Sequence, residues 1–229
     1  MKSSAMVEWA DKHGIAPGLR QAVLDAAAPL YDREGCHGLD HALRVEKNGL
    51  ALAVKLGARS DIISIAALLH DIGRVAEHQS RGKICHATLG AEQSREILTD
   101  LGLAADEIKL ITDAIMTHRF RNRHDRPQGI EAMILFDADK LDSLGAVGIG
   151  RAFLFAGQVG ARLHNSDIDL RGTLSYGRED TAWREFEVKL KKIPERMLTE
   201  PGRRESLRRR EFMEEFFRRL DLEIYGETK

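Results

Sequence analysis

Cysteine is scarce in this chain of 229 residues, which has only Cys36 and Cys85 and no CxxC spacing. This scarcity argues against a disulfide framework and against a zinc ribbon, and it is typical of a reducing compartment. An excess of charge of one sign is also missing, because 35 basic and 36 acidic residues give a formal net charge of -1. Such a balance supplies no global attraction to nucleic acid or to an anionic membrane, so we expect no stable nucleic-acid partner and no membrane association.

Long apolar stretches are absent too. No segment has the length and apolarity of a transmembrane helix, and residues 1–9 lack the apolar core of a signal peptide. We therefore expect a cytoplasmic protein. Strand alternation flanked by hairpin turns is lacking as well, whereas 43% hydrophobic residues suffice for one sizeable core. These features predict a globular all-α protein.

Apolar residues recur at helical spacing along nearly the whole chain, with Val54 and Met116 among those expected to face the core. The segment 61–72 is predicted to stop at Gly73, and the segment 178–193 to be a more exposed helix. Polar loops are expected at 74–85, 119–129 and 164–177, around whatever site the core holds. The helices are predicted at 19–31, 40–56, 61–72, 86–101, 106–118, 130–144, 147–163, 178–193 and 203–224.

The apolar run 62–69 ends in two adjacent ionisable residues, His70 and Asp71. Ionisable groups at the end of a buried run must be paired, hydrogen-bonded or metal-bound, because desolvation would otherwise be costly. For a lone pair, a helix end tied off by polar side chains is the simpler interpretation. This pair is accompanied by His41 upstream and Asp139 downstream, and together the four residues form a candidate metal site.

The ligand types limit the metal. Imidazoles and carboxylates together suit Mn, Fe, Co, Ni or Zn, and the lack of cysteine ligands argues against a structural zinc site. His41 begins one predicted helix, His70 and Asp71 end another, and Asp139 lies within a third. Only an assembled helical bundle would bring them together, and such a site leaves positions open for water and substrate.

The motifs resemble those of the HD superfamily of metal-dependent phosphohydrolases: His-x-x-Arg-Val at 41–45, Leu-Leu-His-Asp-Ile-Gly at 68–73 and Ala-Asp-Lys-Leu at 138–141. The resemblance implies an HD-domain helical bundle with a metal-binding core over 1–145, and with 146–229 as a C-terminal helical extension of the same domain. The metal ligands implied by the resemblance are His41, His70, Asp71 and Asp139.

Two further segments, 182–186 and 197–203, resemble the C-terminal extension of a prokaryotic branch associated with hydrolysis of nucleoside triphosphates. This resemblance implies a metal-dependent phosphohydrolase that cleaves a phosphoanhydride or phosphoester bond of a (deoxy)nucleoside triphosphate or a related compound. The expected partner is a small phosphorylated molecule, and a homo-oligomer remains an open alternative to a single chain.

The number of metals stays open at this point. The order His, His-Asp, His, His, Asp, completed by His86 and His118, resembles HD proteins that hold two ions bridged by Asp71. Such a pair, typically ~3.5 to 4 Å apart, clamps the attacking and leaving oxygens of an in-line displacement. The alternative is one tight ion, with these two histidines around it or on phosphate. We expect one or two divalent ions per chain, drawn from Mn, Fe, Co, Ni, Mg or Zn.

Metal-activated water is the expected nucleophile, with positive side chains stabilising charge on the phosphates. The predicted catalytic residues are Asp71, Lys140 and Arg44. The predicted substrate-binding residues are Arg74, His118 and Arg119. A salt bridge is the alternative role for Arg44 and Lys140, and a solvated loop is the alternative for the arginines at 119–126.

Other members of the superfamily differ at one informative position. Guanosine tetraphosphate hydrolases carry acidic residues shortly after His-Asp, whereas here Arg74 follows and Glu77 comes too late. The arginine favours a substrate with several phosphates. Two other functions stay open: a di-iron oxygenase, which six such ligands also permit, and a non-catalytic nucleotide sensor. His164 has no motif context, and we expect a surface or capping role for it.

Overall fold

The computed structural model describes residues 17–32, 36–119 and 126–226. All regular elements in these ranges are helical, which confirms the predicted all-α class. The chain divides into two compact units, one ending at Asp139 and one beginning at Lys140. The domain organisation expected from the sequence, with a limit at 145, stays a prediction.

The first unit contains α1 to α6 and most of α7. Helix α1 continues into a short 3-10 turn at Ala28–Leu30, and α7 extends two residues into the second unit. The bounds are α1 Pro17–Ala27, α2 Leu39–Leu56, α3 Ser60–Leu69, α4 Arg74–Gln79, α5 His86–Asp100, α6 Ala105–Thr117 and α7 Ile130–Leu141.

Helix α3 is the centre of the first unit, because every residue from Ile62 to Leu69 is buried. It packs against α1, α2 and α6. Such complete burial explains why the run is apolar all round rather than amphipathic. Helix α2 ends at Gly57, whose φ of 64° is the left-handed conformation that favours glycine at a helix end.

The prediction that Val54 of α2 faces the core is wrong, because this residue is 57% exposed. The buried stripe of α2 runs through Ala42, Glu46, Gly49 and Ala53 instead. Gly49 lies so close to α3 that an added Cβ would come 2.7 Å from a methyl carbon of Ile63. Small residues and a buried glutamate define this face, and hydrophobic periodicity does not detect them.

Three further expectations from the sequence are wrong. Met116 is 41% exposed, because α6 buries Ile111 and Ile115 on its inner face. The segment 178–193 is not an exposed helix: α9 is short, and its Ala182 and Phe186 are almost fully buried. The expected loop 74–85 begins with helix α4, which six residues without an apolar stripe do not reveal.

The second unit contains α8 Gly145–Gln158, α9 Ala182–Val188, a 3-10 helix Leu190–Arg196 and α10 Glu200–Tyr225. Its core is aromatic: the rings of Phe186 and Phe217 stack with centroids 4.9 Å apart. His164 belongs to this core, since it is 5% exposed and its Nε2 lies 2.5 Å from an Asp221 oxygen. The expected surface role of His164 is therefore wrong. Within the described ranges, every helix is too short or too polar to span a lipid bilayer.

Candidate metal centre

Three helices bring the predicted primary ligands together. His41 lies in the first turn of α2, His70 and Asp71 directly follow α3, and Asp139 lies in the last turn of α7. His41 and His70 are 0% exposed, Asp71 is 1% exposed and Asp139 is 9% exposed. The ionisable pair that ends the apolar helix is therefore buried, as its position in the sequence requires.

The ligand atoms of these residues converge. The Nε2 atom of His41 lies 3.3 Å from Nε2 of His70 and 3.4 Å from Oδ1 of Asp139. The Nε2 atoms of both histidines are 3.7 Å from Oδ2 of Asp71. We call His41, His70 and Asp139 the Oδ2 side of the centre, because the two histidines face that oxygen and Asp139 lies beside His41. The Oδ2 side contains the donor atoms that a divalent ion with nitrogen and oxygen ligands requires.

The other oxygen of Asp71 faces a second pair of histidines. His86 is the first residue of α5, and His118 directly follows α6. Each Nε2 atom lies 3.4 Å from Oδ1 of Asp71, and the two Nε2 atoms are 3.2 Å apart. We call His86 and His118 the Oδ1 side. Asp71 therefore stands between two groups of imidazoles, as a bridging ligand would.

Hydrogen bonds fix the tautomers of three of these histidines. Nδ1 of His70 donates to the carbonyl of the residue three positions earlier, at 2.7 Å, and Nδ1 of His118 does the same. Nδ1 of His86 donates to Oε2 of Glu77 at 2.8 Å. With the proton on Nδ1, each neutral ring presents a lone pair at Nε2. On the Oδ1 side two such lone pairs face each other, an arrangement that a cation between them would stabilise.

Burial and charge set the protonation states that a metal requires. Burial lowers the pKa of His70 to about 3 and that of His86 to about 2, against the opposing effect of Asp71. For Asp71 burial alone would raise the pKa, but the charge of Arg74 and the neighbouring histidines together hold it well below its usual range. The imidazoles of His70 and His86 are therefore neutral and the carboxylate of Asp71 is ionised near neutral pH, which are the states that bind metal.

Gly73 allows the two sides to approach each other. A Cβ atom at this position would lie 2.5 Å from the carbonyl oxygen of His86 and 3.1 Å from the amide nitrogen of Gly90. Its φ of -80° is ordinary, so the residue is not a left-handed helix stop as the sequence suggested. The glycine is required for space, because any side chain would push α5 away from the turn that carries Asp71.

Glu77 was missed as a site residue by sequence reasoning. Its Oε2 atom accepts from Nδ1 of His86 at 2.8 Å and from Nη1 of Arg74 at 3.0 Å, and its Oε1 atom lies 3.0 Å from Nη2 of Arg119. In the sequence Glu77 comes too late after His70 and Asp71 to match the acidic residues of guanosine tetraphosphate hydrolases. The short helix α4 brings it back toward the centre, and the signal available was the helical i, i+3 spacing from Arg74.

His37 was missed as well. Its Nδ1 atom lies 3.1 Å from Oδ2 of Asp71, and its side chain is 43% exposed. It precedes α2 by two residues and stands four residues before His41, so a helical-turn spacing from a predicted ligand was the signal that pointed to it. Of the described imidazoles around Asp71, His37 is the one in contact with solvent.

The predicted cationic residues have different surroundings. Arg74 donates through Nε to Oδ1 of Asp71 at 3.0 Å, so it lies at the centre. Arg119 bonds to Cys85 and pairs with Glu77. Arg44 forms a salt bridge, which is the alternative to its predicted catalytic role, to Asp40 at 2.5 Å on a partly exposed face of α2. Its catalytic role stays a prediction.

Two further predictions concern Lys140 and the arginine-rich loop at 119–126. Lys140 is buried and directly follows Asp139 on α7, and its catalytic role stays a prediction. In the arginine-rich loop at 119–126, residues 120–125 lie outside the described ranges, so the prediction of a phosphate grip stays open there.

Comparison with known proteins points to one family. A model of the HD domain matches residues 38–144 of the chain. The uncharacterized protein YpgQ of Bacillus subtilis is 30% identical over 200 residues, which cover 86% of this chain and 89% of that protein. The crystal structure of YpgQ in complex with ADP aligns with a TM-score of 0.70 at 25% identity, over 91% of this chain and 96% of that one.

Two other relatives carry functional names. The crystal structure of an HD-superfamily hydrolase from Bacillus thuringiensis aligns with a TM-score of 0.69 at 25% identity, over 91% of this chain and 97% of that one. Ribonuclease Y of Chloroflexus aurantiacus is 36% identical over 107 residues, which are 47% of this chain but only 18% of that protein.

Proposed function

Because the chain belongs to the HD-domain family, whose members bind divalent metals, we propose that it is a metal-dependent phosphohydrolase acting on a nucleotide. The observation that carries the proposal is the approach of His41 and His70 to one oxygen of the buried Asp71, with Asp139 3.4 Å from His41. The YpgQ structure that contains ADP supports a nucleotide as the ligand class. We propose a (deoxy)nucleoside triphosphate or a related phosphoanhydride or phosphoester as the substrate.

The donor atoms fit one ion on the Oδ2 side and a second on the Oδ1 side, with Asp71 shared. A bound divalent ion lowers the pKa of a coordinated water and polarises a phosphoryl oxygen, which is the chemistry of phosphate hydrolysis. We propose Mn, Fe, Co, Ni, Mg or Zn as the ion. The chain holds the neutral imidazoles of His70 and His86 in fixed tautomers and the carboxylate of Asp71 in its ionised form.

Arg74 and Arg119 are the described cations best placed to bind phosphate. Both reach the carboxylate of Glu77, and their side chains are 29% and 24% exposed, so they are within reach of solvent. A guanidinium binds phosphate with two parallel hydrogen bonds, as it binds a carboxylate. A polyphosphate at the mouth of the centre would compete with Glu77 for both arginines, which favours a highly charged substrate over an uncharged nucleoside.

A metal-by-nucleotide activity matrix tests the proposal. Metal-free protein is supplied in turn with Mn, Fe, Co, Ni, Mg or Zn and with ribo- and deoxyribonucleoside mono-, di- and triphosphates. We expect hydrolysis of at least one triphosphate with at least one metal. Product identification then locates the scissile bond, since orthophosphate, pyrophosphate and triphosphate report three different bonds. No turnover with any pair would contradict the proposal.

A di-iron oxygenase is the second candidate, and the observation that favours it is the placement of Asp71 between two histidine groups. Iron-loaded protein that consumes oxygen with a phosphorylated organic compound would support it. Full hydrolytic activity without oxygen would remove its basis. An RNA oligonucleotide belongs in the same substrate panel, because Ribonuclease Y of Chloroflexus aurantiacus matches 107 residues of the chain. Binding of nucleotide without turnover would identify a sensor instead.

A further inference from the structure

The three histidines with fixed tautomers are held in two different ways. His70 and His118 donate from Nδ1 to backbone carbonyls of their own chain segment. His86 donates to a side chain, the carboxylate of Glu77. A backbone carbonyl gives the same hydrogen bond whatever surrounds it, whereas a carboxylate shares its charge among all of its partners. Of these three Nδ1 hydrogen bonds, that of His86 is the one that goes to another side chain.

Glu77 has two competing cationic partners. Arg74 donates to the same Oε2 atom that accepts from His86, at 3.0 Å, and Arg74 also donates to Oδ1 of Asp71. Arg119 lies 3.0 Å from Oε1, although that oxygen is buried and lacks a hydrogen bond of good geometry. The carboxylate thus connects α4, the start of α5 and the segment after α6, and its side chain is only 14% exposed.

We propose that Glu77 is a positioning residue that sets the affinity of the Oδ1 side for a metal ion. It would do so by orienting the ring of His86 and by making the lone pair of its Nε2 atom a stronger metal ligand. The inference rests on the proposed function, because it takes the Asp71 centre to be a metal site. A carboxylate on the far nitrogen of a ligating histidine fixes the ring and increases its donor strength, and its loss typically costs about 10–100-fold in metal affinity. The contacts of Glu77 are with His86, Arg74 and Arg119, and His86 belongs to the Oδ1 side, so we expect the Oδ1 side to be affected more than the Oδ2 side.

Glu77→Gln and Glu77→Ala separate charge from hydrogen bonding. The glutamine keeps an acceptor for His86 but loses the charge, and the alanine loses both. Mn(II) is titrated into metal-free wild type and variants by calorimetry, and paramagnetic resonance reports whether two neighbouring ions are present. We expect the second binding event to weaken about 10-fold or more in Glu77→Gln and further in Glu77→Ala, while the first stays within about 2-fold. The signal of coupled ions should weaken in the same order.

Glu46→Gln is the matched control. Glu46 is also a buried glutamate bound to an arginine, Arg20, and it accepts from Ser64, away from the centre. We expect the Glu46→Gln substitution to lower the melting temperature without changing the affinity of either Mn(II) binding event. Equal weakening of both binding events in the Glu77 variants would show a structural role and overturn the inference.

The failure of this inference and that of the proposed function differ in what is observed. A wild type that binds one Mn(II) overturns the role of Glu77 but leaves a mononuclear phosphohydrolase intact. A wild type that binds two ions, with the second sensitive to Glu77, supports the inference even if no nucleotide is hydrolysed. Unchanged second-site affinity in Glu77→Ala overturns it whatever the activity.

Discussion

The two sides of Asp71 differ in charge although each presents two buried imidazoles. The Oδ2 side adds a second carboxylate, because Asp139 lies 3.4 Å from His41. On the Oδ1 side the second carboxylate, Glu77, contacts the far nitrogen of His86, and a cation lies at the shared oxygen, because Nε of Arg74 is 3.0 Å from Oδ1. A divalent ion is stabilised by each carboxylate and destabilised by a nearby guanidinium. Asp71 is thus shared by an Oδ2 side that is more anionic and an Oδ1 side that is closer to neutral.

This difference implies unequal affinities. We expect the Oδ2 side to hold an ion tightly and the Oδ1 side to hold one weakly, and to hold it better when Arg74 is engaged elsewhere. A phosphate group that binds Arg74 would withdraw that charge from Oδ1. The alternatives of one and two ions, which the order of histidines leaves open, then become two states of loading of the same centre.

Replacing the shared residue should have the largest effect. Asp71→Ala removes the oxygen that each side uses, so we expect metal retention and hydrolysis to be lost together. Elemental analysis of purified protein and a nucleotide assay check both. Asp71→Asn, which keeps the size and one oxygen, should retain at most a weakly bound ion. A variant that still held one equivalent of metal would show that Asp71 is not the common ligand.

Removing one ligand candidate from each side in turn should cause unequal losses of bound metal. Asp139→Asn takes a carboxylate from the Oδ2 side and is expected to reduce the retained metal to well below one equivalent. His118→Ala takes an imidazole from the Oδ1 side and is expected to leave the first ion in place while abolishing the second. Elemental analysis after extensive dialysis distinguishes the two. Equal losses in both variants would show that the two sides are equivalent.

The four primary ligand candidates were predictable because each lies at a helix position that periodicity identifies, and their motifs have a fixed order. Glu77 was not, because α4 is too short to show a stripe and the carboxylate approaches His86 only in the folded chain. Val54 failed for a related reason: helix packing chose a face of α2 that is rich in small residues, which apolarity does not mark. The residue types of the ligand candidates can be predicted from the sequence motifs. The charge difference between the two sides cannot, because it depends on contacts that exist only in the folded chain.

Removing the charge of Arg74 should make the two sides more alike. Arg74→Gln takes the cation from Oδ1, and we expect the second Mn(II) to bind about tenfold more tightly, which corresponds to about 1.4 kcal/mol. If Arg74 also binds the phosphates, KM for the nucleotide should rise in the same variant. Calorimetry and steady-state kinetics measure the two effects separately. Unchanged second-site affinity would remove Arg74 as the cause of the asymmetry.

Changing the distance between the sides should have a smaller effect. In Gly73→Ala the added Cβ would lie 2.5 Å from the backbone of His86, so α5 must move away from Asp71. We expect a loss of about 1–3 kcal/mol in unfolding free energy, with weaker second-ion binding. Gly150→Ala is the control, because no atom lies within 4 Å of its added Cβ in α8. A tolerated Gly73→Ala would mean that α5 and the turn are not in tight register.

The smallest effect on the centre should come from a buried carboxylate that serves stability instead. Both guanidinium contacts from Arg20 to Glu46 are 2.7 Å or shorter, and Ser64 donates to the same carboxylate. Arg20→Met leaves that buried charge without its cation, which typically costs about 3–5 kcal/mol of folding free energy. Denaturant unfolding should show this loss, while Mn(II) stoichiometry at a temperature where the variant is folded should equal that of the wild type. A changed stoichiometry would mean that Glu46 supports the position of His41 on α2. The stability of this helix would then also determine the geometry of the Oδ2 side.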